Sequence, residues 1–90
     1  MNDFPHIPEP YTSAHKVCFR NRDAVMQSKQ CGCFYCLSIF PPTEVTEWIK
    51  EDNDAYTARC TKCGIDSVIP DAFGFPLDAV FLATMKKWWF

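Results

Sequence analysis

Two Cys-x-x-Cys turns, a short chain and three segments with helix signals predict a small α+β domain of the zinc-ribbon type. The turns are Cys33-Phe-Tyr-Cys36 and Cys60-Thr-Lys-Cys63, and residues 37–59 separate them. A chain of 90 residues buries only about 60 to 65 per cent of its unfolded surface, so its core is thin. A metal ion bound by both turns would supply stability that such a core lacks.

The composition is typical of a folded chain in water. Hydrophobic residues make up 48%, aromatic residues 16% and charged residues 22%, and no stretch reaches the roughly 18 apolar residues of a membrane span. A net charge of -2 argues against a protein built to bind phosphate backbones. The first residues lack the basic and apolar regions of a secretory signal, so we expect a cytoplasmic protein. Six cysteines would not persist there as disulfides, which favours thiolates bound to metal.

We expect residues 1–12 to form a flexible, proline-rich arm and residues 13–90 to form a single zinc-binding domain. The prolines of the arm lack amide donors and push their predecessors toward extended geometry. The first helix is predicted over 22–28, where Asn21 is a candidate N-cap. Asp23 lies in the first turn, at the positive end of the helix dipole.

A short strand is predicted over 37–40, and two prolines end it. Thr43 is then suited to cap a second helix over 44–51. Three apolar residues in this segment follow the i, i+3, i+4 spacing of one helix face. They are Val45, Trp48 and Ile49.

The second cysteine pair is predicted to lie at the tip of a β-hairpin formed by residues 56–59 and 65–69. Pro76 is suited to open the last helix, over 77–88, because its missing N–H would be unpaired there. One side of that helix is apolar and is expected to face the core. Its members are Leu77, Val80, Phe81, Thr84, Met85 and Trp88.

The two cysteine pairs predict one structural Zn²⁺. Cysteines two residues apart turn both sulfurs toward one point, and four thiolates at about 2.3 Å complete a closed tetrahedral shell. The predicted ligands are Cys33, Cys36, Cys60 and Cys63, with Gly64 suited to a left-handed residue after the second turn. Iron accepts the same four sulfurs, as in rubredoxin-like sites, so the sequence alone leaves zinc and iron open. A closed shell leaves no position for a catalytic water.

The remaining cysteines leave alternatives open. Cys31 can pack in the core, support the bound sulfurs through a hydrogen bond, or replace Cys33 as a ligand, and we favour the first two roles. His15 and Cys18 form a His-x-x-Cys pair that offers a second metal site together with Cys31, but a fourth ligand is lacking. We therefore expect His15 and His6 on the solvated surface.

The order of the motifs resembles that of a known group of proteins. The chain contains Cys31-Gly-Cys-Phe-Tyr-Cys36, Phe40, Glu44-Val-Thr-Glu-Trp48, Cys60-x-x-Cys-Gly-Ile-Asp-Ser-Val-Ile69 and Gly74-Phe-Pro76. In these motifs it resembles a family of small, mostly uncharacterised bacterial cytoplasmic proteins with a zinc-ribbon-like site. The resemblance runs from about His15 to Phe90. It implies a zinc-bound fold and no particular activity.

No arrangement of residues typical of catalysis is present. The sequence has no Ser-His-Asp order, phosphate-binding glycine loop or His-Glu-x-x-His motif. The only polar cluster beside the second turn consists of Asp66, Ser67 and Asp71, and we assign it to hydrogen bonds of turns and strand ends. We therefore expect a protein that is not an enzyme.

The aromatic residues favour a role in binding. We assign Trp88 to the core, whereas Trp89 and Phe90 either cap the core or anchor a protein partner. The leading hypothesis is an adaptor, regulator or inhibitor that binds another protein. The alternative is a nucleic-acid-binding zinc-ribbon module, with basic residues gathered beside Phe34 and Tyr35, but the acidic residues over 44–54 disfavour it.

Overall fold

The computed structural model describes residues 7–90, and residues 1–6 lie outside the described part of the chain. Three α-helices and five short strands follow one another in the order α1, α2, β1, β2, β3, β4, β5, α3. The helices are α1 (Tyr11–Lys16), α2 (Arg22–Gln27) and α3 (Ala79–Trp89). The strands are β1 (Cys31–Cys33), β2 (Ile39–Phe40), β3 (Trp48–Lys50), β4 (Tyr56–Ala58) and β5 (Val68–Pro70). Three short 3₁₀ turns occur at Pro42–Glu44, Asp52–Asp54 and Asp71–Phe73.

The strands form two small antiparallel sheets. Sheet 1 has the order β2-β1-β5, and sheet 2 consists of β3 and β4. Together with the three helices and a cluster of four cysteines, this arrangement confirms the prediction of a small α+β domain. Within residues 7–90, no helix is both long enough and apolar enough to span a membrane.

The predicted hairpin around the second cysteine pair is wrong. Strand β4 pairs with β3, and β5 pairs with β1, so the two flanks of this turn belong to different sheets. The Cys60 N–H donates to the Ile65 carbonyl (2.9 Å) across the turn. The chain then bends at Asp66, so the two flanks diverge. The first cysteine pair instead lies in a true hairpin between β1 and β2, with Cys33 as the last residue of β1.

The predicted second helix over 44–51 is also wrong. The start of the predicted segment belongs to the 3₁₀ turn Pro42–Glu44, and its end belongs to strand β3. The apolar residues in this segment are β-branched or aromatic, which favours a strand wherever a partner strand is present. Here β4 is that partner, with Ile49 opposite Thr57. Tertiary pairing therefore overrides the helical spacing.

Asn21 precedes α2 as expected, but its side chain does not cap the helix. It is buried, and its Nδ2 donates to the Val68 carbonyl (2.9 Å) while its Oδ1 accepts from the Ala58 N–H (3.0 Å). Val68 lies on β5 and Ala58 on β4. A single amide therefore joins the two sheets, which explains why this residue is buried.

The core has two parts. The first lies where α3 and α1 meet β5 and the first cysteine turn, and the second lies between α2, the two sheets and the cysteines. The buried members of the first are Ala14, Cys18, Phe34, Ile69, Leu77, Phe81, Leu82 and Met85. Those of the second are Val25, Cys31, Cys33, Phe40, Val45, Ala58, Cys60 and Val68.

Helix α3 begins two residues later than predicted, and the predicted apolar side is confirmed only in part, because Phe81 and Met85 are buried but Val80 and Trp88 are not. Asp78 caps it by accepting a hydrogen bond from the Phe81 N–H (2.8 Å). Leu82 is fully buried against Gly32, whereas Val80 is exposed. Trp88 is 36% exposed, so its assignment to the core is wrong. The residues of α3 that pack in the core are Phe81, Leu82, Met85 and, in part, Trp89. Trp88 is therefore left on the outer side of the helix.

The expected proline-rich arm falls partly on residues 1–6, which are outside the described residues together with His6. After Pro8 the chain turns, and α1 begins at Tyr11. The Tyr11 ring lies 5.6 Å from that of Phe81, and its carbonyl accepts from Trp89 Nε1 (3.2 Å). These contacts tie α1 to α3.

Candidate metal centre

The two cysteine turns share one backbone geometry. In each, the residue after the second cysteine donates its N–H to the carbonyl of the first: Leu37 to Cys33 (2.9 Å) and Gly64 to Cys60 (3.1 Å). That residue has a left-handed conformation in both, with φ of 65° at Leu37 and 80° at Gly64. The prediction for Gly64 is confirmed, whereas no sequence signal marks Leu37, because leucine rarely adopts a positive φ. The shared geometry turns both pairs of sulfurs inward.

The structure brings the four predicted ligands together. The Sγ atoms of Cys33 and Cys63 are 3.7 Å apart and those of Cys36 and Cys60 are 3.5 Å apart, and all four sulfurs lie within 4.8 Å of one another. In a tetrahedron with metal–sulfur bonds of about 2.3 Å, the sulfurs are about 3.8 Å apart. The cluster therefore has the size and the donor chemistry of a site for one metal ion with four sulfur ligands.

Backbone amides point at the first sulfur of each turn. Tyr35 N–H lies 3.4 Å from Cys33 Sγ, and Lys62 N–H lies 3.3 Å from Cys60 Sγ. The Cys63 N–H is 3.5 Å from the same Cys60 sulfur. Such hydrogen bonds stabilise the thiolate form, because they spread its negative charge.

Two serine hydroxyls complete the surroundings of the sulfurs. Ser67 Oγ lies 3.1 Å from Cys33 Sγ, and Ser38 Oγ lies 3.3 Å from Cys36 Sγ. Groups of this kind orient metal ligands and tune their basicity. From the sequence, Ser67 was assigned only to a polar turn, and Ser38 was not singled out. Neither serine has a fixed motif position that would have revealed its contact with a sulfur.

The thiols differ in how readily they ionise. Burial raises the pKa of Cys33 to about 12, although Ser67 and two backbone amides favour its thiolate. Burial also raises the pKa of Cys63. At Cys36 burial opposes ionisation, but hydrogen bonds, first among them that with Ser38, lower the pKa to about 7. Four adjacent thiolates therefore require a bound cation, whose charge favours the deprotonated forms.

The other cysteines lie apart from this cluster. Cys31 is fully buried in the second part of the core, and burial raises the pKa of its thiol to about 12. Cys18 is buried and donates from Sγ to the His15 carbonyl (2.9 Å). Within residues 7–90, the four-cysteine cluster is the only group of three or more metal-ligating side chains. The second metal site that the sequence suggested from His15, Cys18 and Cys31 is therefore not assembled in this structure.

His15 is half-buried, so its expected position on the solvated surface is wrong. Its ring stacks on that of Trp89, with centroids 3.8 Å apart and an interplanar angle of 22°. Burial lowers the pKa of His15, and the nearby Asp66 carboxylate partly offsets this effect. The ring of His15 is thus held against the end of α3.

The polar residues beside the second turn have separate contacts. The Asp71 carboxylate accepts from the N–H groups of Lys29 (3.0 Å) and Gln30 (3.2 Å), which is a structural role. Ser67 is buried against Cys33. Asp66 is exposed.

A cleft with a volume of about 490 Å³ lies beside the first cysteine turn, and we name it the aromatic cleft. The residues that line it include Phe19, Phe34, Trp89, Phe90, Lys16 and Asp66. No sequence pattern predicts it, because its residues come from four separate segments of the chain.

The last two aromatic residues occupy different positions in this cleft. Trp89 is half-buried against the first part of the core. Phe90 is 61% exposed, and its ring lies 5.6 Å from that of Phe34 and 4.9 Å from that of Tyr35. Phe34 and Tyr35 are the residues between the first two cysteines of the metal centre, so the end of α3 rests on the first cysteine turn.

The chain matches no family model, and no curated protein or solved structure is significantly similar to it.

Proposed function

We propose that this chain is a zinc-stabilised, non-enzymatic cytoplasmic protein that acts by binding another protein, as an adaptor, regulator or inhibitor. The observation that supports the proposal is a group of exposed aromatic side chains around the aromatic cleft, which lie on the first cysteine turn, at the end of α3 and in the segment after α1. Phe90, Phe19 and Tyr35 are 61%, 53% and 39% exposed. Phe19 and Phe90 line the same cleft, and Phe90 packs against Tyr35.

Zinc is the metal that suits the four sulfurs best. Four thiolates leave no open position for water or substrate, which is typical of structural zinc rather than catalytic zinc. Iron would fit the same sulfurs, but electron transfer to iron calls for redox partners of which the chain gives no sign. A bound zinc ion also explains how a domain with so thin a core can stay folded, because the free energy of metal binding adds to the free energy of folding.

Exposed aromatic side chains in one place favour recognition of a partner. Aromatic residues are enriched among those that contribute most to protein–protein affinity. Here they are also held in place, since Tyr35 belongs to a turn fixed by two cysteines and Phe90 packs on its ring edge-on, at an angle of 68°. A surface already ordered in the free protein loses little side-chain entropy on binding.

The test is capture of a partner from the native cytoplasm with purified, zinc-loaded protein. Phe90→Ser should abolish specific capture, whereas Phe73→Ser should not, because Phe73 is equally exposed (58%) but lies in a 3₁₀ turn away from the cleft. The captured protein is then purified and titrated calorimetrically against both variants. Equal affinities for the two variants, or no specific partner at all, would count against the proposal.

Binding of nucleic acid remains the alternative, and only one contact favours it. Lys86 Nζ lies 4.8 Å from the centre of the Tyr35 ring. Other basic residues are engaged elsewhere: Arg22 covers the rings of Trp48 and Tyr56, and Arg59 donates to the Gly64 carbonyl. Titration with single-stranded and duplex DNA or RNA at low salt distinguishes the two functions, since phosphate binding weakens steeply as salt rises.

A further inference from the structure

We propose that the aromatic cleft receives an extended peptide segment of the partner in which one large apolar side chain is flanked by a basic residue and an acidic residue. This inference rests on the proposed function and describes its partner more closely.

The size and walls of the cleft suit an apolar side chain. Its volume of about 490 Å³ falls within the range of about 300 to 1,000 Å³ typical of ligand sites. Phe34, which is almost fully buried, contributes to its floor. Trp89 forms a rigid wall, because its ring stacks on His15 and its Nε1 donates to the Tyr11 carbonyl. Phe19 and Phe90 remain exposed and offer aromatic surface to a bound side chain.

The charges that line the cleft define which groups fit beside that side chain. Lys16 and Asp66 are both exposed and do not form an ion pair with each other. Among residues 7–90, the ion pairs are Lys50 with Asp54 and Arg59 with Glu47. Asp66 lines the cleft together with His15 and Cys18, so its carboxylate is available to a group bound there.

A partner that covers these two charges must replace the water around them. A purely apolar partner would leave both charges desolvated and unpaired, which is costly. A polyanion would meet Asp66 with like charge, which disfavours a nucleic acid in this cleft. A peptide with a basic residue for Asp66 and an acidic residue for Lys16 satisfies both charges.

The cleft is also joined to the metal centre. Ser67 lines it and lies 3.1 Å from Cys33 Sγ, while Phe34 stands between two of the four cysteines. Removal of the metal should therefore disturb the floor of the cleft and weaken peptide binding.

The experiment is selection of a phage-displayed library of random heptapeptides on the zinc-loaded chain, followed by calorimetric titration of the enriched peptides as synthetic probes. We expect a common pattern of one aromatic or large aliphatic residue flanked by charges of opposite sign. Asp66→Lys and Phe19→Ser should each weaken binding by roughly tenfold or more, and Phe73→Ser should leave it unchanged. Selection on the Asp66→Lys variant should replace the basic residue of the pattern with an acidic one.

All of the substituted residues are exposed, so each variant is expected to fold, and circular dichroism with zinc content verifies this. The inference is overturned if no peptide is enriched, if enriched peptides lack the charged pair, or if Asp66→Lys and Phe19→Ser bind them as tightly as the unmodified chain. The two proposals fail differently. A natural partner whose capture depends on Phe90 but not on Phe19 or Asp66 would refute the peptide pattern proposed for the cleft and leave the proposed function standing.

Discussion

Replacement of Asn21 by leucine tests how the two sheets are held together. Asn21 Nδ2 donates to the Val68 carbonyl and Oδ1 accepts from the Ala58 N–H. In each strand the residue next to this group bonds to the neighbouring segment: the Ser67 carbonyl accepts from the Phe34 N–H, and the Arg59 N–H donates to the Glu47 carbonyl. The Val68 carbonyl and the Ala58 N–H therefore face away from those segments. Leucine has a similar volume but neither donor nor acceptor, so Asn21→Leu leaves both groups without their partner.

The structure gives the size of the effect. Val68 and Ala58 are fully buried, and each buried group left unpaired costs about 1 to 3 kcal/mol. The apolar surface of leucine returns about 1 kcal/mol. The free energy of unfolding should therefore fall by about 1 to 5 kcal/mol. In a domain of this size each kcal/mol lowers Tm by about 4 to 8 °C, so the variant should melt at least about 4 °C lower.

The assay is urea and thermal unfolding of zinc-loaded protein, followed by circular dichroism. Gln27→Leu is the matched control, because it exchanges an amide for leucine at an exposed position of α2, the helix that Asn21 precedes, and its stability should change by less than about 0.5 kcal/mol. If Asn21→Leu were as stable as this control, Asn21 would not be the link between the sheets.

Three further predictions concern the metal centre and its support. Cys63→Ser should abolish metal binding and most of the stability, even though Cys63 is the most exposed of the four cysteines. Cys31→Ala should keep one metal ion per chain. Equal metal content in the two variants, measured by mass spectrometry, would contradict the ligand set. Ser67→Ala should weaken metal affinity by about 10- to 100-fold through loss of its contact with Cys33, as measured by competition with a chelator, and unchanged affinity would show that the hydroxyl does not act on the sulfur. Gly32→Ala would place a Cβ 3.0 Å from Leu82 Cδ1, so its unfolding free energy should drop by about 1 to 3 kcal/mol, and an unchanged value in urea would mean that Leu82 moves aside freely.

The sequence was most informative where chemistry fixes spacing. Two residues between cysteines allow both sulfurs to face one point, so the four clustered cysteines and the role of Gly64 followed from the sequence. The small α+β class followed for the same reason, because two such turns far apart in the chain need strands and helices around them to bring their sulfurs to one point.

Pairing between distant segments was not readable from local patterns. Val45, Trp48 and Ile49 fit a helical face, yet Trp48 and Ile49 lie on a strand, because β4 offers them a partner. Asn21 fits an N-cap, yet two strand edges brought close by the fold take its amide. Both errors arise where a tertiary contact outweighs a weak local preference.

The aromatic cleft was beyond sequence reasoning for a related cause. Trp89 and Phe90 stand out in the sequence as aromatic residues at the end of a helix, but nothing local shows that His15 stacks on Trp89 or that Phe34 and Tyr35 support Phe90. These contacts join residues far apart in the chain. Only the folded arrangement of α1, the first cysteine turn and α3 creates the surface.

The most direct test of the proposed zinc centre is the metal itself. The protein is purified from cells grown without added metal, its metal content per chain is determined, and the ligands are identified by X-ray absorption at the zinc edge. We predict one zinc ion per chain, surrounded by four sulfur atoms at about 2.3 Å. Protein that is folded but contains no metal, or zinc with nitrogen or oxygen among its ligands, would contradict a structural site of four thiolates.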